Sequence, residues 1–233
     1  MTGPVLEVFQ AGLVPYAEAL AWQRALAEAR IDGRLRHDVL LLLEHPPVVT
    51  LGRNSSPAHV LSPDGVDVFE TERGGDVTFH GPGQLVGYPI LDLKGYKPDL
   101  HWYLRTLEEA LVVALAELGI PAGRNPPFTG VWTRNRKIVS IGIHVKQWVT
   151  WHGFALNVTT ELAQFERIVP CGIPGVEMTS VQREKGEGSG ERELWEQAVQ
   201  AVSQGFETAF GVATLPAASS VAELRPGAAM QTC

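Results

Sequence analysis

Three strand signals follow one another at 130–133, 137–145 and 148–158, and the links between them are too short for anything but hairpins. Arg134-Asn135-Arg136 and Lys146-Gln147 leave no room for a crossover, which takes a dozen or more residues. The three strands are therefore predicted to pair antiparallel in one sheet. A sheet needs cover for its faces, and helical periodicity supplies it. Apolar residues recur at helical spacing over 15–30, and Asp32-Gly33 breaks the pattern. Asp99 is placed to cap a helix running to about Leu118, with Gly119 as its stop. A last helix is predicted over 191–210, and a short one over 161–168. Further strands are predicted at 5–9, 38–44, 48–51, 66–70 and 85–92, with a polar loop at 184–190. The fold class that follows is α/β in the broad sense (α+β): mixed, largely antiparallel sheets flanked by helices. Residues 1–211 form one domain in this reading, and the Ala-, Ser- and Pro-rich stretch 212–233 is a tail expected to be frayed.

Charge and cysteine usage exclude several classes. With a net charge of −7, the chain lacks the basic excess of a nucleic-acid binder. No stretch approaches the roughly 20 apolar residues that span a bilayer, and the N-terminus shows no secretory signal, so a cytoplasmic protein without membrane attachment is expected. The two cysteines, Cys171 and Cys233, make no disulfide framework and are expected to be reduced thiols. Zinc-ligand spacings are absent, so no metal site is expected.

Three stretches carry chemical content. The first, Arg73 to Gln84, sets glycines and a proline around Arg73, Thr78, His80 and Gln84 while keeping Val77 and Phe79, a mixture that suits a pocket wall. It has neither of the glycine spacings of a nucleotide phosphate loop. The second is Cys171. Free cysteine is commonly a small buried hydrophobe, but Pro170 and Gly172 set this one in a shaped loop, where catalytic groups concentrate. A nucleophilic thiol needs a cation or a base beside it, and Lys137, His80, His144 and His152 are the candidates. The third is 140–157, where Gly142, Gly153 and Ala155 interrupt strand patterns, either to floor an acyl groove or to let strands pack closely.

Together these stretches resemble the octanoyltransferase family of lipoate biosynthesis. The segments that carry the resemblance are RGGDVTFHGPGQLVGYPILDL (73–93), KIVSIGIHV and WHGFALNV (137–158), and IVPCGI with MTS (168–173 and 178–180). The resemblance implies the α/β domain shared with lipoate and biotin ligases. It implies transfer of an octanoyl group from acyl carrier protein to a lysine of a lipoyl domain, through a cysteine thioester. The acceptors so implied are lipoyl domains of 2-oxoacid dehydrogenase complexes and the glycine cleavage H protein. Cys171 takes the position of the family's thioester-forming residue and Lys137 that of its catalytic lysine. The family's acyl-pocket segments fall on Arg73, Gly74, Gly75, Asp76, Val77, Thr78, Phe79 and His80, on Ser140, Ile141 and Gly142, and on Gly153, Phe154 and Ala155. No cofactor is implied beyond the phosphopantetheine that arrives on the carrier protein.

Backbone N–H groups near Gly172 or in the 73–80 segment are the expected oxyanion donors. Arg134, Arg136 and Lys137 are expected to form a local basic patch for acidic protein partners. Three rival readings lead elsewhere: an ATP-dependent ligase, which needs no thiol; a non-catalytic module that binds acyl chains or lipoyl domains; and a cysteine hydrolase built from Cys171, His152 and Asn157.

Overall fold

The computed structural model describes residues 4–63, 65–186 and 190–217. Eleven strands and four α-helices are found among them: β1 Val5–Leu13, α1 Tyr16–Ile31, β2 Asp38–Glu44, β3 Val48–Leu51, β4 Asp67–Glu70, β5 Thr78–His80, β6 Gln84–Ile90, α2 Leu100–Glu117, β7 Gly123–Asn125, β8 Phe128–Thr133, β9 Arg136–Lys146, β10 Val149–Asn157, α3 Val181–Lys185, α4 Glu191–Phe210 and β11 Ala213–Pro216. An eight-stranded sheet runs β11-β1-β2-β6-β10-β9-β8-β7, and a three-stranded sheet runs β4-β3-β5. Pairing is parallel at β11-β1, β1-β2 and β3-β4 and antiparallel elsewhere.

The unbroken aliphatic run of β2 is explained by burial on both faces. Leu40 and Leu42 point into the core under α2 and α4, while Val39, Leu41 and Leu43 join the core under α1. A third, smaller core of Val49, Val77, Phe79, Phe165, Ile168 and Met178 lies beside the three-stranded sheet.

The predicted antiparallel run β8-β9-β10 is present, and both links are two-residue turns. Arg134 and Asn135 (φ 48 and 63) make the first, Gln147 and Trp148 (φ 51 and 70) the second. Positive φ at both central residues matches the right-handed twist of the flanking strands. Asp99 caps α2 by accepting a hydrogen bond from Trp102 N–H at 3.0 Å, and Gly119 follows the helix at φ 76.

Several elements depart from the predicted boundaries. The 161–168 helix is a 3-10 segment, Leu162–Arg167. Residues 184 and 185 close α3 instead of opening a loop. In the predicted tail, β11 pairs with β1 from Val5↔Ala213 to Val8↔Pro216. The rest of that tail, with Cys233, lies outside the described residues.

Candidate active site

Cys171 occupies a 3-10 turn, Pro170–Gly172, at φ 56 and ψ 21, in the left-handed region that few non-glycine residues adopt. Its own N–H donates to the Val77 carbonyl at 2.9 Å, Gly172 N–H to Val169 at 2.9 Å, and Ile173 N–H to Pro170 at 3.1 Å. Gly172 must be glycine, because at φ 66 a Cβ would run into the Asp76 carboxylate and against the His59 ring. Asp76 and His59 are themselves paired, His59 Nδ1 to Asp76 Oδ2 at 2.8 Å.

The partner of the sulfur is Lys137. Its Nζ donates to Cys171 Sγ at 3.0 Å and lies 4.9 Å from the centroid of the Trp132 ring. The lysine is 1% exposed, and its ammonium enters none of the ion pairs found among the described residues. The chain around Lys137 is pinned on both sides: its N–H donates to Glu177 O at 2.8 Å, and its carbonyl accepts from Thr179 N–H at 2.9 Å. The MTS segment thus sets where Lys137 lies along the strand edge. Gly130 makes room for its stem, since a Cβ there would stand 3.0 Å from Lys137 Cε.

None of the three candidate histidines bonds to the sulfur. His80 Nδ1 meets Gln84 Oε1 at 2.7 Å, and His144 Nδ1 meets the Glu72 carbonyl at 2.9 Å. His152 Nε2 stands 3.8 Å from Glu72 Oε1, an ion-pair distance and not a hydrogen bond. Asn157 is committed to Gln84 and to the Thr179 carbonyl. The hydrolase constellation of Cys171, His152 and Asn157 is therefore not assembled.

Cys171 and Lys137 open into a cavity of about 250 Å3. Of the residues on which the resemblance sets the acyl pocket, Arg73, Gly75, Asp76, Thr78, His80, Ser140, Ile141, Gly142, Gly153, Phe154 and Ala155 line it. Gly74, Val77 and Phe79 do not. Side chains alternate along β5, so Thr78 and His80 face the cavity while Phe79 packs edge-on against Phe165 in the third core. Val77 is fully buried in that core and reaches the site only through its carbonyl. Gly74 is tied to β9, its N–H donating to Ile143 O at 2.8 Å.

Gly142 and Gly153 line the cavity, but the space a side chain would need is taken by protein: Gly74 O and Arg73 at Gly142, Gly87 and Pro89 at Gly153. Close approach of neighbouring backbones is what requires glycine there. Sequence reasoning missed Tyr16, Tyr88, Pro127, Phe128, Thr129 and Ile173 as lining residues. Tyr16 sits at the start of a helix and Phe128 at the start of a strand, where nothing in the local pattern signals a cavity.

Behind the lining, buried polar groups form a chain. Arg73 Nη2 donates to the Thr50 carbonyl at 2.7 Å and to Thr50 Oγ1 at 2.9 Å, and Thr50 Oγ1 stands 3.5 Å from His80 Nε2. Gln84 passes the chain on to Asn157 at 3.0 Å. His45 bonds to Val14 O and to Tyr88 Oη, both at 2.7 Å. Burial pushes His45 down to about 4 and His80 down to about 3, so both rings are neutral at pH 7. No group of three or more His, Cys, Asp or Glu able to hold a metal occurs among the described residues.

The expected basic patch is altered by folding. Arg136 Nη2 pairs with Glu184 Oε1 at 2.7 Å, Arg134 Nη1 lies 3.5 Å from Glu184 Oε2, and Lys137 is interior. Arg134, with 68% of its side chain exposed, is the member that reaches solvent.

The family model of the lipoyl protein ligase A/B catalytic domain matches residues 15–207. The chain belongs to that family. An octanoyltransferase of Gloeobacter violaceus is 55% identical over 187 residues, a match covering 75% of this chain and 84% of the relative. One from Solibacter usitatus is 54% identical over 170 residues, covering 70% and 77%. With relatives this similar over most of its length, the chain is an acyltransferase of the family. Among solved structures, a lipoate-protein ligase A bound with ATP superposes with a TM-score of 0.74 at 18% identity, covering 97% of this chain and 93% of that one. A putative lipoate protein ligase from T. acidophilum gives 0.73 at 17% identity, covering 97% and 92%. These likenesses establish the lipoate ligase fold. No helix among the described residues is long and apolar enough to cross a membrane.

Proposed function

We propose that this family member transfers an octanoyl group from octanoyl-acyl carrier protein to a lysine of lipoyl domains, through a thioester on Cys171. The acceptors are the lipoyl domains of 2-oxoacid dehydrogenase complexes and the glycine cleavage H protein, and the reaction belongs in the cytoplasm. The observation that carries this reading is the 3.0 Å contact between Lys137 Nζ and Cys171 Sγ at the wall of a partly apolar cavity.

The attacking form of a cysteine is the thiolate, and the Lys137 amine, in contact with the sulfur, is the group placed to exchange protons with it. The sulfur adds to the thioester carbonyl, and the departing phosphopantetheine thiolate takes a proton from Lys137. Lys137 is then a neutral amine beside the acyl-enzyme. It accepts a proton from the incoming lysine amine as that nitrogen attacks, and the Cys171 thiolate leaves. The ammonium-thiolate pair is restored after one turnover. Exchange of one thioester for another is nearly thermoneutral and amide formation runs downhill, so the cycle needs no ATP and no cofactor of its own. Six or seven buried methylenes supply about 5 kcal/mol of chain binding before ordering costs.

The test is mass spectrometry after mixing the protein with octanoyl-acyl carrier protein and no ATP. One octanoyl group should appear on the wild-type chain, disappear on hydroxylamine treatment or on addition of a lipoyl domain, and be missing from Cys171→Ser. Transfer at an undiminished rate by Cys171→Ser would remove the thioester route. Product formed solely from free octanoate and ATP would make the protein a ligase.

A further inference from the structure

Attack of sulfur on a thioester carbonyl creates a negatively charged oxygen, which needs donors already in place. The amides closest along the chain to the sulfur are spent. Those of Cys171, Gly172 and Ile173 donate to Val77, Val169 and Pro170. In the glycine-rich segment, Gly74 N–H is bonded to Ile143 O at 2.8 Å and Val77 N–H to the Asp76 side chain at 2.7 Å.

Two hydroxyls at the same cavity differ. Thr78 follows Val77, whose carbonyl holds the Cys171 amide, so its backbone is fixed next to the thiol loop. Thr78 lines the cavity and is 6% exposed, and its Oγ1 is buried with no hydrogen-bond partner among the described residues. Leaving a buried hydroxyl unpaired is costly, and such groups in native proteins ask for a reason. Ser140 Oγ lies 3.7 Å from Cys171 Sγ on the facing strand, so its hydroxyl stands close to whatever carbon the sulfur bonds.

We infer that Thr78, assisted by Ser140, forms the oxyanion hole of the acyl transfer. The inference rests on the acylation of Cys171 proposed above. The S–C bond forms as the carbonyl π pair moves onto oxygen, and both hydroxyls donate hydrogen bonds to that oxygen without giving up their protons. When the pair returns, the carrier thiolate leaves with the Lys137 proton. The same hole serves the second half-reaction, in which the amine adds and the Cys171 thiolate is expelled.

Single-turnover acylation by octanoyl-acyl carrier protein, set beside alkylation of Cys171 by iodoacetamide, separates this role from a structural one. Alkylation is a displacement at carbon and makes no oxyanion. Thr78→Val should slow acylation about 100-fold and leave the alkylation rate unchanged, whereas Thr78→Ser should keep acylation within a few-fold of wild type. Ser140→Ala should slow acylation by more than it changes alkylation, since its hydroxyl also touches the sulfur. If Thr78→Val acylates at the wild-type rate while wild type forms its adduct, the hydroxyl is not the donor and the inference is overturned. If acylation and alkylation fall together, Thr78 shapes the loop and the inference is overturned. Absence of any adduct on wild type overturns the thioester reading itself.

Discussion

The amide of Cys171 donates to the carbonyl of Val77 at 2.9 Å, and this bond joins the thiol loop to the glycine-rich segment across the cavity wall. It explains how Val77, buried in a separate core, still bears on the site. The Asp76–His59 pair braces the same junction, since His59 O also accepts from Val169 N–H at 2.8 Å. A left-handed Cys171 held from two sides keeps its sulfur against Lys137 rather than against the apolar residues of the neighbouring core.

Lys137→Met should separate activity from stability. The substitution keeps the apolar stem and removes a buried charge that has no carboxylate partner among the described residues. Replacing a buried polar pair member by an apolar side chain of similar length, beside a sulfur and an aromatic ring, leaves no buried carboxylate unpaired, so the thermal midpoint should stay level or rise. Acyl-enzyme formation should fall by about 100-fold or more as the proton carrier is lost. Thermal melts and the mass-spectrometric acylation assay check the two halves, and a variant that melts earlier yet acylates normally would contradict both.

Gly130→Ala reaches the same lysine from behind. At φ 132 a Cβ would stand 2.5 Å from Val139 O and 3.0 Å from Lys137 Cε. Backbone strain and the clash together should cost about 2–3 kcal/mol of stability, and the lysine stem should shift from the sulfur. Urea unfolding and the Cys171 alkylation rate should both report the change.

Stability should decline as the pH falls from 6 to 5. His45 and His80 are held well below the ordinary histidine value by burial, His45 at about 4 and His80 at about 3. Between those values and about 6.5 the unfolded chain binds protons that the folded chain refuses, so lowering the pH favours unfolding. Each ring contributes about 1 kcal/mol per pH unit in that window, and the loss levels off once the folded rings titrate too. Urea titrations at pH 7, 6 and 5 test this, and a flat profile would mean that the two rings are not buried neutral.

Charge reversal should split the two arginines of the first hairpin. Arg134→Glu, at a largely exposed side chain, should raise the apparent KM for the acidic carrier protein with the fold intact. Arg136→Glu should instead set a second carboxylate against Glu184, whose side chain is 2% exposed, and cost about 3 kcal/mol or more of stability. Steady-state kinetics with matched unfolding curves distinguish them. Equal KM effects at equal stability would restore the simple basic patch.

Much of the fold was readable from the sequence because its signals are local. Periodicity located α1, a cap and a glycine stop located α2, and short links pointed to antiparallel pairing of β8-β9-β10. Strings of residues at 73–93, 137–158 and 168–180 pointed to the family and to Cys171 and Lys137. What folding decided were matters of direction and distance. No local pattern says that Phe79 turns away from the cavity while Thr78 turns toward it, or that Tyr16 and Phe128 complete the wall. None says that Glu184 takes up Arg136, or that β11 is drawn onto β1. Three histidines and Lys137 stood as candidate partners for the thiol until packing set His80 against Gln84 and His144 and His152 beside Glu72 and left Lys137 beside the sulfur, 34 positions away in the chain. Propensity and periodicity act over a few residues, whereas a hydrogen bond between a lysine and a thiol exists only once the whole sheet has closed around it.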